Sequence, residues 1–189
     1  MAVKKPEIDE KELIARLQDP AKARAAFDDM MRAYGESIYW QIRKMVLNHD
    51  DALDLLQNCF IKAWNNLDHF RGDAKLSTWL YKIAVNESIN FINREKARSN
   101  VSADAQENEF LISNLAADEY FDGDELHLAL QKAVAALPEK QRLVFNMRYF
   151  DEMKYEDISE ILGTSVGALK ANYHHALKKV TEAVTGESI

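Results

Sequence analysis

The stretch YEDISEILGTSVGALKANYHHALKKV, from Tyr155 to Val180, contains two helical patterns separated by a short break. The first pattern places apolar residues at helical spacing from Tyr155 to Leu162. Gly163 tolerates the left-handed backbone that ends a helix, and Thr164 and Ser165 are good caps for the next one. A helix, a turn containing glycine and a second helix predict a helix-turn-helix, whose second helix enters a DNA groove.

The second pattern has an apolar face and a polar face. The predicted apolar stripe recurs every three or four residues, at Val166, Leu169, Tyr173, Leu177 and Val180. The other side carries hydrogen-bonding or cationic side chains that suit phosphates and base edges, namely Ser165, Lys170, Asn172, His174, His175, Lys178 and Lys179. For this stretch alone, an ordinary helical hairpin with a solvated face is the alternative.

The composition indicates a soluble protein with packed helical cores. The chain has 189 residues, of which 47% are hydrophobic, and only three prolines interrupt its helical patterns. The start, MAVKKPEIDEKEL, lacks the apolar run of a secretory signal, and no segment has the length of a membrane span. We therefore expect a cytoplasmic protein that does not insert into a membrane.

The negative charge of the chain is concentrated in one segment. Residues 1–98 carry a net charge of +1, residues 99–125 carry −8 with no basic residue, and residues 126–189 carry 0. We interpret residues 99–125 as an acidic flexible linker that joins two small helical domains, 1–98 and 126–189, in an all-α fold. Because neither domain is strongly basic, we expect the isolated chain to bind DNA weakly.

The N-terminal domain is predicted to contain helices at residues 6–18, 21–47, 52–67 and 77–98, with Ser77 as the cap of the last. The third helix has a predicted core stripe of Leu53, Leu56, Phe60, Trp64 and Leu67. Beside this stripe lie polar residues and one branched apolar residue, Asp54, Gln57, Asn58 and Ile61. Such a mixed face suits a protein partner, and a solvated face is the alternative.

Aromatic residues alternate with cations between Phe70 and Arg98. This interleaving suits single-stranded nucleic acid, because bases stack on aromatic rings while cations hold the backbone. Helical spacing also aligns a polar stripe of Lys82, Asn86, Asn90 and Arg94, and asparagine can bridge two atoms of an adenine edge. A place in the core is the alternative for Trp79 and Phe91.

The sequence predicts no catalytic, metal or cofactor site. His174 and His175 are adjacent, so on a helix they point about 100° apart and do not easily share one metal ion. The single cysteine, Cys59, excludes an internal disulfide and a cysteine-rich zinc site. No phosphate-binding glycine loop or nucleophile motif is present. We therefore expect a binding protein rather than an enzyme.

Four stretches resemble, in order and spacing, the extracytoplasmic-function sigma factors, the compact group of the bacterial sigma-70 family. They are DALDLLQNCFIKAW (51–64), FRGDAKLSTWLYKIAVNESINFINR (70–94), ALPEKQRLVFNMRY (136–149) and YEDISEILGTSVGALKANYHHALKK (155–179). The resemblance implies a transcription initiation factor that binds core RNA polymerase and directs it to promoters. Its N-terminal domain would dock on polymerase and melt the minus-ten element, and its C-terminal domain would recognise the minus-thirty-five element. A stand-alone helix-turn-helix regulator is the alternative function.

The resemblance also implies roles for individual residues. The core polymerase-binding positions are Asp54 and Gln57, with Asn58, where the family often has glutamate, and Ile61 on the same face. Contacts to minus-ten DNA, including a base flipped from the non-template single strand, fall to Phe70, Arg71, Lys75, Ser77, Thr78, Trp79, Lys82, Asn86, Asn90 and Arg94. Contacts to minus-thirty-five duplex fall to Ser165, Lys170, Asn172, His174, His175 and Lys178.

Three further expectations follow from the resemblance. Many family members have arginine where this chain has Asn172 and His175, so Lys170 is the strongest single prediction for a DNA contact. An anti-sigma factor is a further implied partner. The acidic linker is either a mimic of nucleic acid that occupies a polymerase channel or a solvated tether.

Overall fold

A computed structural model describes residues 9–70, 72, 74–98, 111–112 and 125–186. All regular secondary structure within these ranges is helical, which confirms the predicted all-α class.

The N-terminal bundle consists of four helices. They are α1 (Glu10–Leu17), α2 (Ala23–Val46), α3 (His49–Asn65) and α4 (Leu76–Arg98), with a short 3-10 turn at Leu67–His69 before α4. Helix α3 begins three residues earlier than predicted, because the Asn48 side chain accepts a hydrogen bond from the Asp51 backbone nitrogen and caps the helix. Leu47, at a φ of 57°, ends α2 just before this cap.

The C-terminal module consists of four further helices and one π-helical turn. The helices are α5 (Glu125–Ala135), α6 (Glu139–Phe145), α7 (Tyr155–Leu162) and α8 (Val166–Thr185), and the π-helical turn is Asn146–Phe150. The stretch from residue 139 to residue 150 is therefore α6 followed by this wider turn. Gly163, at a φ of 62°, ends α7, and the Ser165 hydroxyl accepts a hydrogen bond from the Ala168 backbone nitrogen at 3.4 Å, so the predicted helix-turn-helix is confirmed.

The predicted core stripe of α3 was wrong at two positions. Leu53 and Trp64 are 45% and 44% exposed. The buried face is instead made of Ala52, Leu55, Cys59, Phe60 and Ala63. Most of these side chains are small, and they allow α3 to pack closely against α2 and α4, while the bulky residues lie on an outer face.

Two smaller predictions also need correction. Leu177 is exposed, and Ala176 occupies the buried position in α8. The buried face of this helix is centred on Leu169, from which Ala176 lies about 20° around the helix and Leu177 about 80°. Ser77 does not cap α4, since that helix begins at Leu76. The Leu76 backbone nitrogen donates instead to the Glu10 carboxylate at 2.7 Å.

The bundle and the module pack on one continuous apolar core. Buried residues of α4, including Val85, belong to the same cluster as Leu143, Val144, Met147, Ile158, Ile161 and Leu169 of the module. Helix α4 lies against α7, and α2 lies against the π-helical turn. The sequence had left the arrangement of the two halves open, and in this structure they are closed against each other.

Candidate functional site

An apolar groove runs between α2 and α3 on the surface of the bundle. Its volume is about 950 Å³, and its floor includes Phe27 and Phe60, whose ring centroids lie 6.1 Å apart with edges meeting faces. Trp64 meets Phe27 in the same way at 5.0 Å. The groove exists because the bulky residues of α3 face outward, and an apolar groove of this kind fits an amphipathic helix.

Three of the four predicted polymerase-binding residues line this groove. They are Asp54, Gln57 and Ile61. Asn58 is exposed beside them on α3 but does not line the groove. The sequence missed Leu53 and Trp64 as part of this surface, because their spacing matched a core stripe and their large apolar side chains are usually buried.

The outward face of α4 carries the predicted polar stripe. Lys82, Asn86, Asn90 and Arg94 are all exposed and follow one another at every fourth residue of the helix. Trp79 is half-buried, and its ring lies 4.9 Å from that of Phe70 at an angle of 38°. The arrangement therefore places hydrogen-bond donors beside an aromatic wall, which suits an unstacked base.

A pocket of about 530 Å³ lies on this face and brings in residues that the sequence analysis missed. Besides Trp79 and the first three residues of the polar stripe, it is lined by Lys62, Asn66 and His69. Lys62 is held toward α4 by an ion pair with Glu87, with an N–O distance of 2.5 Å. A pairing across 25 positions leaves no periodic signal in the sequence, so only the packing of α3 on α4 shows it.

The remaining predicted minus-ten residues have varied positions. Phe70 and Thr78 are buried, so in this arrangement they support the site from beneath. Ser77 is half-buried, and the exposed Lys75 places its Nζ 3.7 Å from the Asp157 carboxylate of α7. Arg71 lies outside the described residues.

The predicted DNA-facing side of α8 is largely solvent-exposed. Lys170, His174, His175 and Lys178 are exposed, and the Lys170 ammonium lies 5.7 Å from the centre of the Tyr155 ring. Ser165 serves as the cap of the helix, so its backbone position is fixed at the helix start. Asn172 differs, because it is half-buried and lines a cleft of about 180 Å³ together with Asn86 of α4.

The described residues contain no group of three or more histidine, cysteine, aspartate or glutamate side chains that could hold a metal ion. Cys59 is buried, and burial raises the pKa of its thiol to about 12, far from that of a nucleophilic cysteine.

None of the helices in the described ranges is both long enough and apolar enough to cross a membrane.

Comparison with known proteins matches both halves of the chain. Residues 30–98 match the family model of sigma-70 region 2, and residues 127–180 match that of sigma-70 region 4. The chain is 35% identical over 164 residues to the ECF RNA polymerase sigma factor SigW of Bacillus subtilis, covering 82% of this chain and 88% of that protein. It is 30% identical over 182 residues to the RNA polymerase sigma-H factor of Pseudomonas aeruginosa, covering 93% of each.

Two solved structures share the fold at low sequence identity. One is the sigma factor RpoE in complex with the anti-sigma factor NepR from Bartonella quintana, with a TM-score of 0.65, 20% identity, and coverage of 84% of this chain and 96% of that one. The other is CnrH in complex with the cytosolic domain of CnrY, with a TM-score of 0.67, 20% identity, and coverage of 95% and 99%.

Proposed function

Because the chain belongs to the extracytoplasmic-function group of the sigma-70 family and is an alternative sigma factor for transcription initiation, we propose that three of its surfaces divide this task. The groove between α2 and α3 binds core RNA polymerase, the outward face of α4 captures the melted minus-ten strand, and α8 binds the minus-thirty-five duplex. The observation that carries this proposal is the position of the two family matches. The region 2 match falls on the half with the groove and the α4 face, and the region 4 match falls on the half with α8.

At the groove, Ile61, Leu53 and Trp64 supply the apolar contact, and Asp54 and Gln57 supply polar contacts that set its register. A carboxylate such as that of Asp54, at the edge of an apolar contact, attracts cationic side chains of the partner and so speeds and orients association. Asn58 lies at the margin of this surface. A stand-alone DNA-binding regulator has no need of such a groove.

At the minus-ten surface, the base is held by stacking on Trp79 and by donors from Lys82, Asn86 and Asn90. Extruding a base from a duplex costs a few kcal/mol, and stacking on an aromatic ring returns about 1–3 kcal/mol. Arg94, Lys75 and Arg71 hold the strand by its phosphates, with Ser77 beside them, while Phe70 and Thr78 position the ring of Trp79 and the start of α4.

At the minus-thirty-five surface, Lys170 is the principal contact because it is cationic, exposed and near the N-terminal end of α8. That end of the helix enters the major groove of the DNA first. His174, His175 and Lys178 follow on the exposed side, and Ser165 and Asn172 complete the set.

The solved relatives RpoE and CnrH were captured with NepR and CnrY. By analogy, we propose that an anti-sigma factor covers the groove of this chain in the cytoplasm, and that the chain performs no catalysis itself.

A substitution in the groove tests this assignment. Ile61→Lys places a charge among apolar side chains at a position that is already half-exposed, so the fold should remain intact. We expect at least a tenfold loss of affinity for bacterial core polymerase in a fluorescence anisotropy titration, and a matching loss of run-off transcripts. Asn65→Lys, an exposed position on the same helix outside the groove, is the matched control. Equal binding by both variants would mean that the groove is not the polymerase site.

A further inference from the structure

Helix α1 lies outside the surfaces that the proposed function uses. Of the described residues that line the groove and the α4 pocket, none belongs to α1. The match to sigma-70 region 2 begins at residue 30, after α1 has ended. The helix is nevertheless firmly placed, because Leu13 and Leu17 are buried in the core and Arg16 pairs with Asp29 of α2 at an N–O distance of 2.6 Å. It is therefore a fixed part of the bundle whose role the three surfaces leave open.

One face of α1 contacts the chain where it enters α4. We define the entry residues as Phe70, Gly72 and Leu76, which precede or begin that helix. The Glu10 carboxylate accepts a hydrogen bond from the Leu76 backbone nitrogen at 2.7 Å. Eight residues later, the Gln18 side-chain amide donates to the Phe70 carbonyl oxygen at 3.4 Å. The first and last entry residues are therefore both attached to α1.

Ile14 lies between these two contacts on α1. In a helix it stands about 40° around the axis from Glu10 and from Gln18, so the three side chains share one face. Gly72 has a φ of 76°, and a β-carbon at its position would lie 3.8 Å from Ile14 Cγ2. The entry residues thus meet the face of α1 in reverse chain order, with one contact at each end and one in the middle.

The contact at Glu10 is the strongest of the three. The first N–H groups of a helix have no partner within it and carry a partial positive charge, so a carboxylate is a favourable acceptor for the Leu76 nitrogen. The Tyr34 hydroxyl of α2 donates to the other carboxylate oxygen at 3.4 Å. Burial, together with the charge of Glu10, raises the pKa of Tyr34 to about 12, so this hydroxyl keeps its proton at neutral pH. Glu10 therefore joins the start of α4 to two other helices.

The attached residues carry the aromatic wall of the minus-ten surface. Phe70 is held through its own carbonyl, and Trp79 lies one helical turn after Leu76. The two rings lie 4.9 Å apart. Because α1 holds the backbone at Phe70 and the start of α4, it sets the positions of both rings. A binding site functions when neighbouring groups hold its side chains within about 0.5 Å of the productive geometry.

We propose that α1 is a positioning helix for capture of the minus-ten base, with Glu10 as its principal positioning residue and Ile14 and Gln18 in support. This proposal rests on the base capture proposed above. Helix α1 acts through Phe70 and Trp79 and touches neither the base nor polymerase. Without Glu10, the start of α4 is free to move, so the ring and the amide donors no longer meet the base in one geometry. Binding to core polymerase does not change.

Hydrogen–deuterium exchange of the full chain tests the contact without polymerase or DNA. Glu10→Ala should speed exchange of the amides in residues 70–79 by about fivefold, the factor that corresponds to the loss of one helix cap. Glu10→Gln keeps an oxygen that can accept from Leu76 and should restore most of the protection. Asn48→Ala is the matched control, because it removes the cap of α3 in the same bundle without touching the entry residues. Exchange at 70–79 that is unchanged in Glu10→Ala overturns the proposal.

Fork-junction DNA with an abasic site tests whether the contact serves base capture. The holoenzyme is titrated with a promoter identified by its run-off transcript, and each minus-ten base of the non-template strand is removed in turn. At the captured position, the parent should lose about fivefold or more in affinity when the base is missing. Glu10→Ala should bind the intact DNA about as weakly as the parent binds the abasic DNA, and removal of the base should then cost it little. Asn48→Ala should keep the full dependence on that base, and all three chains should bind core polymerase equally.

The outcomes separate this proposal from the proposed function. If the abasic site costs Glu10→Ala as much as it costs the parent, the two losses are independent and α1 does not act through the base. If Asn48→Ala loses the same dependence, general loss of stability is sufficient and the proposal is overturned. If circular dichroism shows that Glu10→Ala has lost helix, Gln18→Ala decides in its place, since it removes the Phe70 contact at an exposed position. A parent chain that is indifferent to every abasic position contradicts base capture itself, so the proposed function then fails together with this role of α1.

Discussion

The Glu10 carboxylate accepts a hydrogen bond from the Leu76 backbone nitrogen at 2.7 Å, across 66 positions of the chain. Glu10 lies at the start of α1, and Leu76 is the first residue of α4, so a side chain from one helix supplies the N-terminal cap of another. The Tyr34 hydroxyl donates to the other oxygen of the same carboxylate at 3.4 Å. The start of α4 is therefore held by the first helix of the bundle.

This relationship gives a prediction for stability. Glu10→Ala leaves the Leu76 nitrogen without its acceptor, and the loss of a helix cap typically costs about 1 kcal/mol in unfolding free energy. Urea denaturation followed by circular dichroism measures this loss. Glu12→Ala removes a carboxylate from the same turn of α1 without touching α4, so it should cost less than about 0.5 kcal/mol. Equal losses would show that the cap contributes nothing.

Leu53 and Leu55 of α3 should separate packing from binding. Leu55 is buried, and Leu55→Ala should lower the unfolding free energy by about 2–5 kcal/mol. Leu53 is half-exposed in the groove, so Leu53→Ala should cost less than about 1 kcal/mol while weakening binding to core polymerase. Thermal melts and an anisotropy titration measure the two effects. The reverse pattern of stabilities would mean that the faces of α3 are assigned the wrong way round.

Neighbouring residues of α8 provide a similar contrast at the DNA surface. Leu169 is fully buried, so Leu169→Ala should cost about 2–5 kcal/mol of stability. Lys170→Ala should change stability by less than about 0.5 kcal/mol, weaken promoter binding by the holoenzyme, and reduce the slope of log affinity against log salt by roughly 0.9. A salt slope equal to that of the parent chain would rule out a phosphate contact at Lys170.

The buried thiol predicts a dependence of stability on alkaline pH. Burial raises the pKa of Cys59 to about 12 from 9.0, so above pH 9 the unfolded chain releases a proton that the folded chain retains. The unfolding free energy should then fall by up to about 1.4 kcal/mol per pH unit between pH 9 and pH 12. Denaturation series at pH 8, 9 and 10 should show this fall, and Cys59→Ala should reduce it. An identical slope in the variant would assign the effect to other groups, such as Tyr34, whose pKa burial also raises to about 12.

Local signals in the sequence were sufficient for the helix-turn-helix. Gly163 and Ser165 act on the backbone within a few residues of themselves, so their consequences did not depend on the remainder of the fold. The exposed stripe of α4 was predictable for a similar reason, because one helical period determines which side chains align.

The faces of α3 depended on packing that one helix does not reveal. Both of its long faces are apolar, and the face with Ala52, Cys59 and Ala63 turns inward because neighbouring helices approach closely there. The spacing of Leu53, Leu56, Phe60 and Trp64 favoured the bulkier stripe as the core. The inclusion of Lys62 and His69 in the α4 pocket, and the pairing of Lys44 with Asp151 across 107 positions, likewise required the tertiary arrangement.

The π-helical turn at Asn146–Phe150 fixes the angle at which Asp151 leaves the module. The Asp151 backbone nitrogen donates to the Asn146 carbonyl at 3.2 Å, a span of five residues, so both side chains lie on the same side of the turn. In an ordinary α-helix the same two residues would point about 140° apart. The wider winding thus acts as a rotational spacer, and the same residues wound as an ordinary α-helix would aim the carboxylate away from Lys44 even with every side chain conserved.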